Sequence, residues 1–233
     1  MRIIAWNMNH WQAVSRSEES WRYLLEELRP EIALLTEACP PAHLIEGGRA
    51  AWSKTIKRGG WGSAVYVAEG FELRHLPLEA CHPGAFVAAE VEGPGLPGPI
   101  TVVSLYGVFE KILGIDYCST TLHRSISDLT CLLDDRSRRG RIVLGGDLNV
   151  SPAVPEWRDV HLPLFERIEQ FGLESCFEYL EHPTPTWRTK QLDHVFVSRE
   201  LIPRVSTSSV VEVGELSDHH ALLVEVDARA ALG

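Results

Sequence analysis

Gly145-Gly146-Asp147-Leu148-Asn149 follows the apolar run 141–144 and breaks it abruptly. Asp147 and Asn149 are two apart, so on an extended segment their side chains leave by the same face. A carboxylate can take a proton or hold a hard cation, and an amide can donate to a charged oxygen, so the pair suits phosphate chemistry. The two glycines would let the backbone turn tightly and let a substrate come close. Gly-Gly-Asp also builds ordinary turns in which Asp and Asn bond their own backbone, and the stretch alone carries both readings.

Other polar residues stand at the edges of apolar runs: Asn7, Glu37, Tyr106, Asp193, Asp218 and His219. Each alone could be a solvated carboxylate, a satisfied histidine or a tyrosine with its hydroxyl in water. Several arriving from separate strands differ from one. Sheets gather their strand ends on a rim, and unpaired acids gathered there repel one another unless a cation joins them.

Such a rim needs particular elements. Residues 2–6 and 32–35 read as buried strands, ending near Asn7 and at Glu37. Between them Trp21, Leu24, Leu25 and Leu28 recur at helical spacing, with Ser17 as cap, Glu18 and Glu19 in the first turn, and Arg29-Pro30 closing the helix. Residues 62–67, 71–78, 85–91 and 100–106, separated by Gly and Pro clusters such as 92–99, read as an antiparallel meander. A helix over 122–133 with Ile126, Leu129, Leu132 and Leu133 on its apolar face leads into strand 141–144. Residues 150–155 read as a loop, 164–171 as a short helix ended by Gly172, and 192–198 and 221–226 as the last strands. Many strands and few helices in both halves predict two sheets face to face with helices outside. No linker or repeat divides the chain, so residues 1–233 are expected to form a single domain.

The 233 residues are enough to bury roughly 70 % of the unfolded surface without staples. Cys39, Cys81, Cys118, Cys131 and Cys176 are odd in number and never spaced Cys-x-x-Cys, which excludes a disulfide framework and a zinc knuckle and predicts free thiols filling the core. The short apolar start is far below a signal peptide or membrane span, so a cytoplasmic protein with no membrane span is expected. A formal net charge of −10 sits awkwardly with nucleic acid, whose phosphates bind Lys and Arg. Carboxylates gathered around a metal make a chain acidic without fixing the charge of its rim. The basic clusters 54–58 and 136–141 are either solvated loops or binding stripes.

Taken in order, Ala5-Trp6-Asn7-Met8-Asn9, Leu35-Thr36-Glu37, Ser104-Leu105-Tyr106, Gly145-Gly146-Asp147-Leu148-Asn149, Thr186-Trp187, Leu192-Asp193-His194-Val195-Phe196-Val197-Ser198 and Ser217-Asp218-His219-His220 resemble the signature blocks of the endonuclease/exonuclease/phosphatase superfamily. The resemblance runs from residue 3 to about residue 226. It implies a four-layered α/β sandwich, with two mixed, mostly antiparallel β-sheets packed face to face and helices outside, and a divalent-metal phosphoesterase site at one rim. Position by position it implies Mg²⁺ or Mn²⁺ held by Glu37 and Asn7 with Asp218 beside it, and a water oriented and deprotonated by Asp147. Asn149 would donate to a phosphoryl oxygen, and His219, oriented by Asp193, would lie against the scissile phosphate. Ser104-Leu105-Tyr106-Gly107 stands where many phosphatase members carry Thr-His-Leu. It resembles the abasic-site endonuclease branch, in which a tyrosine lies near the phosphate and joins the catalytic set. Arg124 and Trp187 are candidate substrate contacts.

The chain departs from that branch in its short spacers, its acidity, the lack of basic insertions, and His194 where repair members often have an aromatic residue. The expected function is a metal-dependent nuclease cutting a phosphodiester of DNA or RNA. The alternative is a phosphatase or phosphodiesterase for a small phosphorylated metabolite or lipid headgroup, and a third reading is an inactive binding module on the same fold. Trp52, Trp61, Trp157 and Trp187 could be stacking faces for bases or core and rim packing. Oligomeric state leaves no mark in the sequence.

Overall fold

The computed structural model of the chain describes residues 1–55, 60–96, 98–109, 111–112, 115–116 and 118–227, with the backbone alone at 111–112, 115–116 and 118. In chain order the elements are β1 (Arg2–Asn7), α1 (Ser17–Tyr23), β2 (Ile32–Ala38), α2 (Ala42–Glu46), β3 (Ala50–Lys54), β4 (Gly62–Val67), β5 (Glu72–Leu76), β6 (Phe86–Glu92) and β7 (Ile100–Leu105). They continue with β8 (Lys111–Ile112), β9 (Ile115–Asp116), α3 (Cys118–Leu133), β10 (Ile142–Asp147), α4 (Arg158–Glu169), β11 (Leu173–Ser175), β12 (Asp193–Ser198), β13 (Val205–Val211) and β14 (Ala221–Val226). One six-stranded sheet has the order β13-β14-β1-β2-β4-β3 and a second the order β11-β12-β10-β7-β6-β5. Within them β1–β2 and β7–β10 run parallel and every other pair antiparallel.

The two-residue period of the strands makes the layers. In β1, Ile3 and Ala5 point into an apolar cluster that also holds Val87, Val102, Val143 and Val195 from the second sheet, so this is the seam between the sheets. Ile4 and Trp6 point the other way, toward Trp21, Leu24 and Leu28. The outer face of the second sheet, with Leu105, Leu144 and Phe196, is covered by Leu122, Ile126 and Leu129 of α3 and Leu164, Phe165 and Ile168 of α4. Helix, sheet, sheet, helix is the expected four-layered sandwich.

Several local expectations are corrected. Gly62–Val67 is not in the meander: it pairs with β2 and β3 in the first sheet, and only β5, β6 and β7 form a meander in the second. Ser17 is no cap, because a 3₁₀ turn over Val14–Arg16 runs directly into α1. Beyond Tyr23 the helix widens to π geometry over Leu24–Leu28 and stops at Arg29, whose N–H reaches the Leu24 carbonyl at 2.9 Å with φ +46°. The short helix at 164–171 begins instead at Arg158, ends at Glu169 and holds Pro163 inside it. Two edge strands left no clear pattern, β3 because it is short and β13 because its Ser and Thr residues keep the edge polar. Cys81 and Cys131 are exposed and Cys39 and Cys176 only partly buried, so these thiols are free, and of the four Cys176 packs against the core between the sheets. Part of the basic cluster 54–58, residues 56–58, lies outside the described residues. Among the described residues no helix is long and apolar enough to cross a membrane.

Candidate active site

The parallel pairs decide where the polar residues meet. β1, β2, β7 and β10 all deliver their C-terminal ends to one rim, and β12 and β14, running the opposite way, begin there; Asp147 and Asp193 are register partners across β10 and β12. The first sheet contributes Asn7, Glu37, Asp218 and His219, and the second contributes Tyr106, Asp147, Asn149 and Asp193. All but Asp193 line a cavity of about 360 Å³, and Asp193 lies fully buried behind His219.

Gly145 and Gly146 serve this meeting in a way the sequence did not suggest. They lie within β10, and neither makes a turn or faces a substrate. A Cβ on Gly146, whose φ is +137°, would sit 2.3 Å from the Leu105 carbonyl oxygen and 2.9 Å from Thr36 Cγ2. A Cβ on Gly145 would sit 3.0 Å from Leu34 Cδ1. The glycines let β10 lie against β7 and against β2 of the facing sheet. Ser104 completes the approach by donating to the Leu35 carbonyl across the seam at 2.7 Å.

Asp147 is the hub. Its Oδ1 accepts the Asn149 backbone N–H at 2.9 Å, and its Oδ2 accepts Asn7 Nδ2 at 2.8 Å and Asn149 Nδ2 at 3.2 Å. Asn149 Nδ2 also donates to the Gly107 carbonyl. His219 Nε2 stands 3.9 Å from Asp147 Oδ2, while its Nδ1 donates to Asp193 Oδ2 at 2.7 Å, which fixes the ring. The Ser-Asp-His block is anchored from its first residue: Ser217 Oγ donates to the Asn7 carbonyl and accepts the His219 backbone N–H. In the Thr-Trp block, Thr186 Oγ1 accepts the N–H groups of Leu192 and Asp193. Tyr106 donates its hydroxyl to Glu37 Oε1 at 2.8 Å. Asp218 accepts from Asn9 Nδ2 at 2.7 Å and from the Trp187 indole N–H at 3.0 Å.

Burial sets the charge states. It lifts the Asp147 carboxyl to about 7; His219 works against that rise, and Asp193 and Glu37 add to it. Burial also raises Glu37, although the Tyr106 and Asn7 hydrogen bonds oppose it. For His219 burial would lower the value, but Asp193 and Asp147 carry it up to about 10, so the ring is an imidazolium. Burial, then the charges of Glu37 and Asp147, hold the Tyr106 phenol well above its usual range, so it remains a neutral donor.

Four carboxylates around one imidazolium leave a surplus of negative charge that a cation would relieve. One ligand-type atom each of Asp147, Asp193 and His219 lie within 4.8 Å of one another. That trio is already an ion-paired set, since Nδ1 is spent on Asp193 and a protonated ring cannot ligate. Hard oxygens of Glu37 and Asp218 line the same cavity, and Asn9 Oδ1 is buried with no hydrogen-bond partner among the described residues. An orphaned amide oxygen beside carboxylates fits a hard divalent cation. Asn7 Oδ1 accepts the Asn9 N–H at 2.9 Å and keeps one lone pair for such an ion.

Asn9, Glu37 and Asn149 share a further trait, positive φ of 48°, 46° and 53°, in non-glycine residues at the cavity. Glu37 is the one for which this conformation is least natural; it sits where the β2–β4 register shifts between Leu35 and Ala38. Asn9 escaped the sequence reading although Asn7 and Asn9 repeat the two-residue spacing of Asp147 and Asn149. Most of the walls escaped it too: Trp11, Gln12, Phe109, Lys190 and Leu192 line the cavity beside Trp157 and Trp187, two of the candidate stacking faces. Arg124 is exposed on α3 and is not among the lining residues. Trp61 is core, packed edge-on against Tyr106 at 5.5 Å.

The family model described as "Endonuclease/Exonuclease/phosphatase family" matches residues 4–219. No curated protein matches the chain. Among solved structures, the chain is similar to a 3'-5' exonuclease (NExo) from Neisseria meningitidis, with 20 % identity over 97 % of this chain and 100 % of that one and a TM-score of 0.71. It is similar to the AP endonuclease LMAP from Leishmania major, with 16 % identity over 96 % and 86 % and a TM-score of 0.72. It is also similar to the endonuclease domain of a telomere-specific non-LTR retrotransposon, with 19 % identity, 97 % coverage of both chains and a TM-score of 0.66. At these identities the likeness is one of fold.

Proposed function

The chain belongs to the endonuclease/exonuclease/phosphatase family, and from that premise we propose that it is a divalent-metal-dependent phosphodiesterase acting on DNA or RNA. The observation that carries the reading is Asp147, a buried carboxyl lifted to about 7, standing 3.9 Å from an imidazolium fixed by Asp193. The Neisseria relative is described both as a 3'-5' exonuclease and as a 3' phosphatase bound to a product DNA hairpin, which favours nucleic acid as the substrate.

Asp147 is the general base. Its value matches neutral pH, and the three donors on its oxygens aim it while leaving a carboxylate lone pair for a water. Proton transfer from that water to Asp147 makes the nucleophile for attack on phosphorus. As the new P–O bond forms and the bond to the leaving oxygen breaks, negative charge grows on the non-bridging and leaving oxygens; His219 passes its Nε2 proton to the leaving oxygen, and Asn149 Nδ2 donates to a non-bridging oxygen by giving up its 3.2 Å hydrogen bond to Asp147. Asp193 holds His219 protonated and turned toward the phosphate. Tyr106 spends its one O–H on Glu37 Oε1 and so positions that carboxylate; it donates to the phosphate only by turning from Glu37. Glu37 and Asp218, with Asn7 and Asn9, would hold Mg²⁺ or Mn²⁺, which when bound neutralises phosphate charge in the ground and transition states.

The test is a purified-protein assay on plasmid DNA, single strands, RNA, an abasic duplex and generic phosphate esters, with Mg²⁺, with Mn²⁺ and with chelator. Metal-dependent cleavage of a nucleic acid is expected. Turnover that survives chelation, or that is confined to small esters, overturns the proposal.

A further inference from the structure

The nucleic-acid reading does not say whether the polymer is paired. On that reading, we propose that Trp157 and Trp187, each carrying a cation over its ring, are landing faces for unpaired nucleotides, so that the substrate is a single-stranded stretch or frayed end of nucleic acid.

Trp11, Phe109 and Trp157 are 51 %, 45 % and 47 % exposed, although all three line the cavity. Large rings left half in water at a site mouth offer surface on which a base can stack. Lys190 Nζ lies 4.4 Å from the Trp157 ring centroid, and the Arg188 guanidinium lies 4.5 Å from that of Trp187. Both cations come from one tight turn, closed by reciprocal hydrogen bonds between Trp187 and Lys190 at 2.9 and 3.0 Å. A base that stacks on either indole takes the place of the cation there, and the displaced charge is left beside the phosphate that the base brings. Trp187 cannot swing away, since its N–H is held by Asp218 and its ring is 6.3 Å from that of His219. A nucleotide seated on it is therefore next to the reacting groups.

The charge distribution argues against an intact duplex. Sequence-independent duplex binding runs on rows of Lys and Arg along the phosphates, and the chain carries a net charge of −10. The described basic cluster at 136–141 precedes Ile142, the first residue of β10, whereas Asp147 is the last. The length of that strand, roughly 17 Å, separates the cluster from the site. Arg138 is moreover engaged by Glu90, Asp135 and Thr101, and Arg141 by the Ser137 carbonyl. Among the described residues lining the cavity, Lys190 is the one Lys or Arg. Stacking can supply what such a charge pattern lacks, but only for bases that are free to leave a helix.

The test is binding in Mg²⁺ by the Asp147→Asn chain, so that strands are held and not cut, read by tryptophan fluorescence. The ligands are single-stranded DNA, single-stranded RNA, the blunt duplex, and a strand of abasic spacers that keeps the phosphates without bases. A base-bearing single strand should quench the fluorescence and bind at least about tenfold more tightly than the duplex or the spacer strand. The DNA and RNA arms distinguish the two polymers. Trp157→Ala should cost about tenfold on the single strand and Trp157→Phe should restore most of it. Lys190→Ala should make the slope of log K against log salt shallower by about 0.7. Equal binding of the spacer strand and the base-bearing strand, or of duplex and single strand, overturns the inference. Wild-type chain that cuts duplex while the spacer strand binds as well as any other keeps the proposed function and loses this inference. Tight base-dependent binding without wild-type cleavage does the reverse.

Discussion

Asp147 is held by three hydrogen bonds and still titrates near 7, because burial outweighs them. As the proposed base, Asp147 is expected to dominate turnover. Asp147→Asn and His219→Ala should each lower kcat by roughly 10²–10⁴, with circular dichroism unchanged; a near-wild-type rate in either would remove that residue from the mechanism. Glu37→Gln should raise the Mg²⁺ concentration needed for half-maximal rate, and an unmoved metal titration would deny Glu37 a role as ligand. These residues were legible in the sequence because each breaks an apolar run, and breaks of that kind place polar groups at strand ends. Asn9 shared the signal. Trp11 carried none and Trp157 only an ambiguous one, since an indole in a loop reads alike whether it packs inward or faces solvent.

At the level of the element, β10 is shaped by what it must lie against. Gly146→Ala would push a Cβ to 2.3 Å from the Leu105 carbonyl and strain a φ of +137°, and should cost about 3 kcal/mol or more in urea denaturation. Gly172→Ala, at φ +77° with nothing within 4 Å, should cost only about 1 kcal/mol. Similar losses at the two positions would mean that close sheet packing is not why Gly146 is glycine. The sequence announced a pair of glycines but not their reason, because the close approach is to Leu105 and Thr36, residues far from Gly146 in the chain. β12 carries a second test. Burial drives His194 down to about 4 against the Val150 carbonyl and Asp193, and its neutral ring sits between Gln191 and Val150. The unfolded chain takes up this proton first as pH falls below 6.5, so the stability is complete above 6.5 and drains away toward 4, by roughly 3 kcal/mol in all. His194→Phe leaves the Gln191 amide and the Val150 carbonyl unpaired, so it is the less stable chain at pH 7; the gap to wild type should shrink as the pH is lowered to 4.5. A gap that stays constant would show that the ring does not titrate this way.

For the whole molecule, the two sheets share one apolar seam, and the sheet-forming runs that predicted it were readable because strands alternate faces every second residue. Which sheet each strand joined was not readable, as the placement of β4 shows: pairing partners are chosen by distant contacts and not by local pattern. The chain should therefore unfold as one domain. Near-ultraviolet tryptophan signal and far-ultraviolet circular dichroism are expected to lose their amplitude at the same urea concentration, and separated midpoints would divide the chain into two units. The same seam has a consequence for how the activity could be adjusted. Glu37 and His219 ride on one sheet and Asp147 and Asn149 on the other, so the girth of valines such as Val102, Val143 and Val195 acts as a spacer gauge for the reacting groups. Displacement of about 1 Å at a reacting centre can change a rate by two orders of magnitude. Variants with altered catalysis should thus turn up in the dry interior, at positions that no substrate ever reaches.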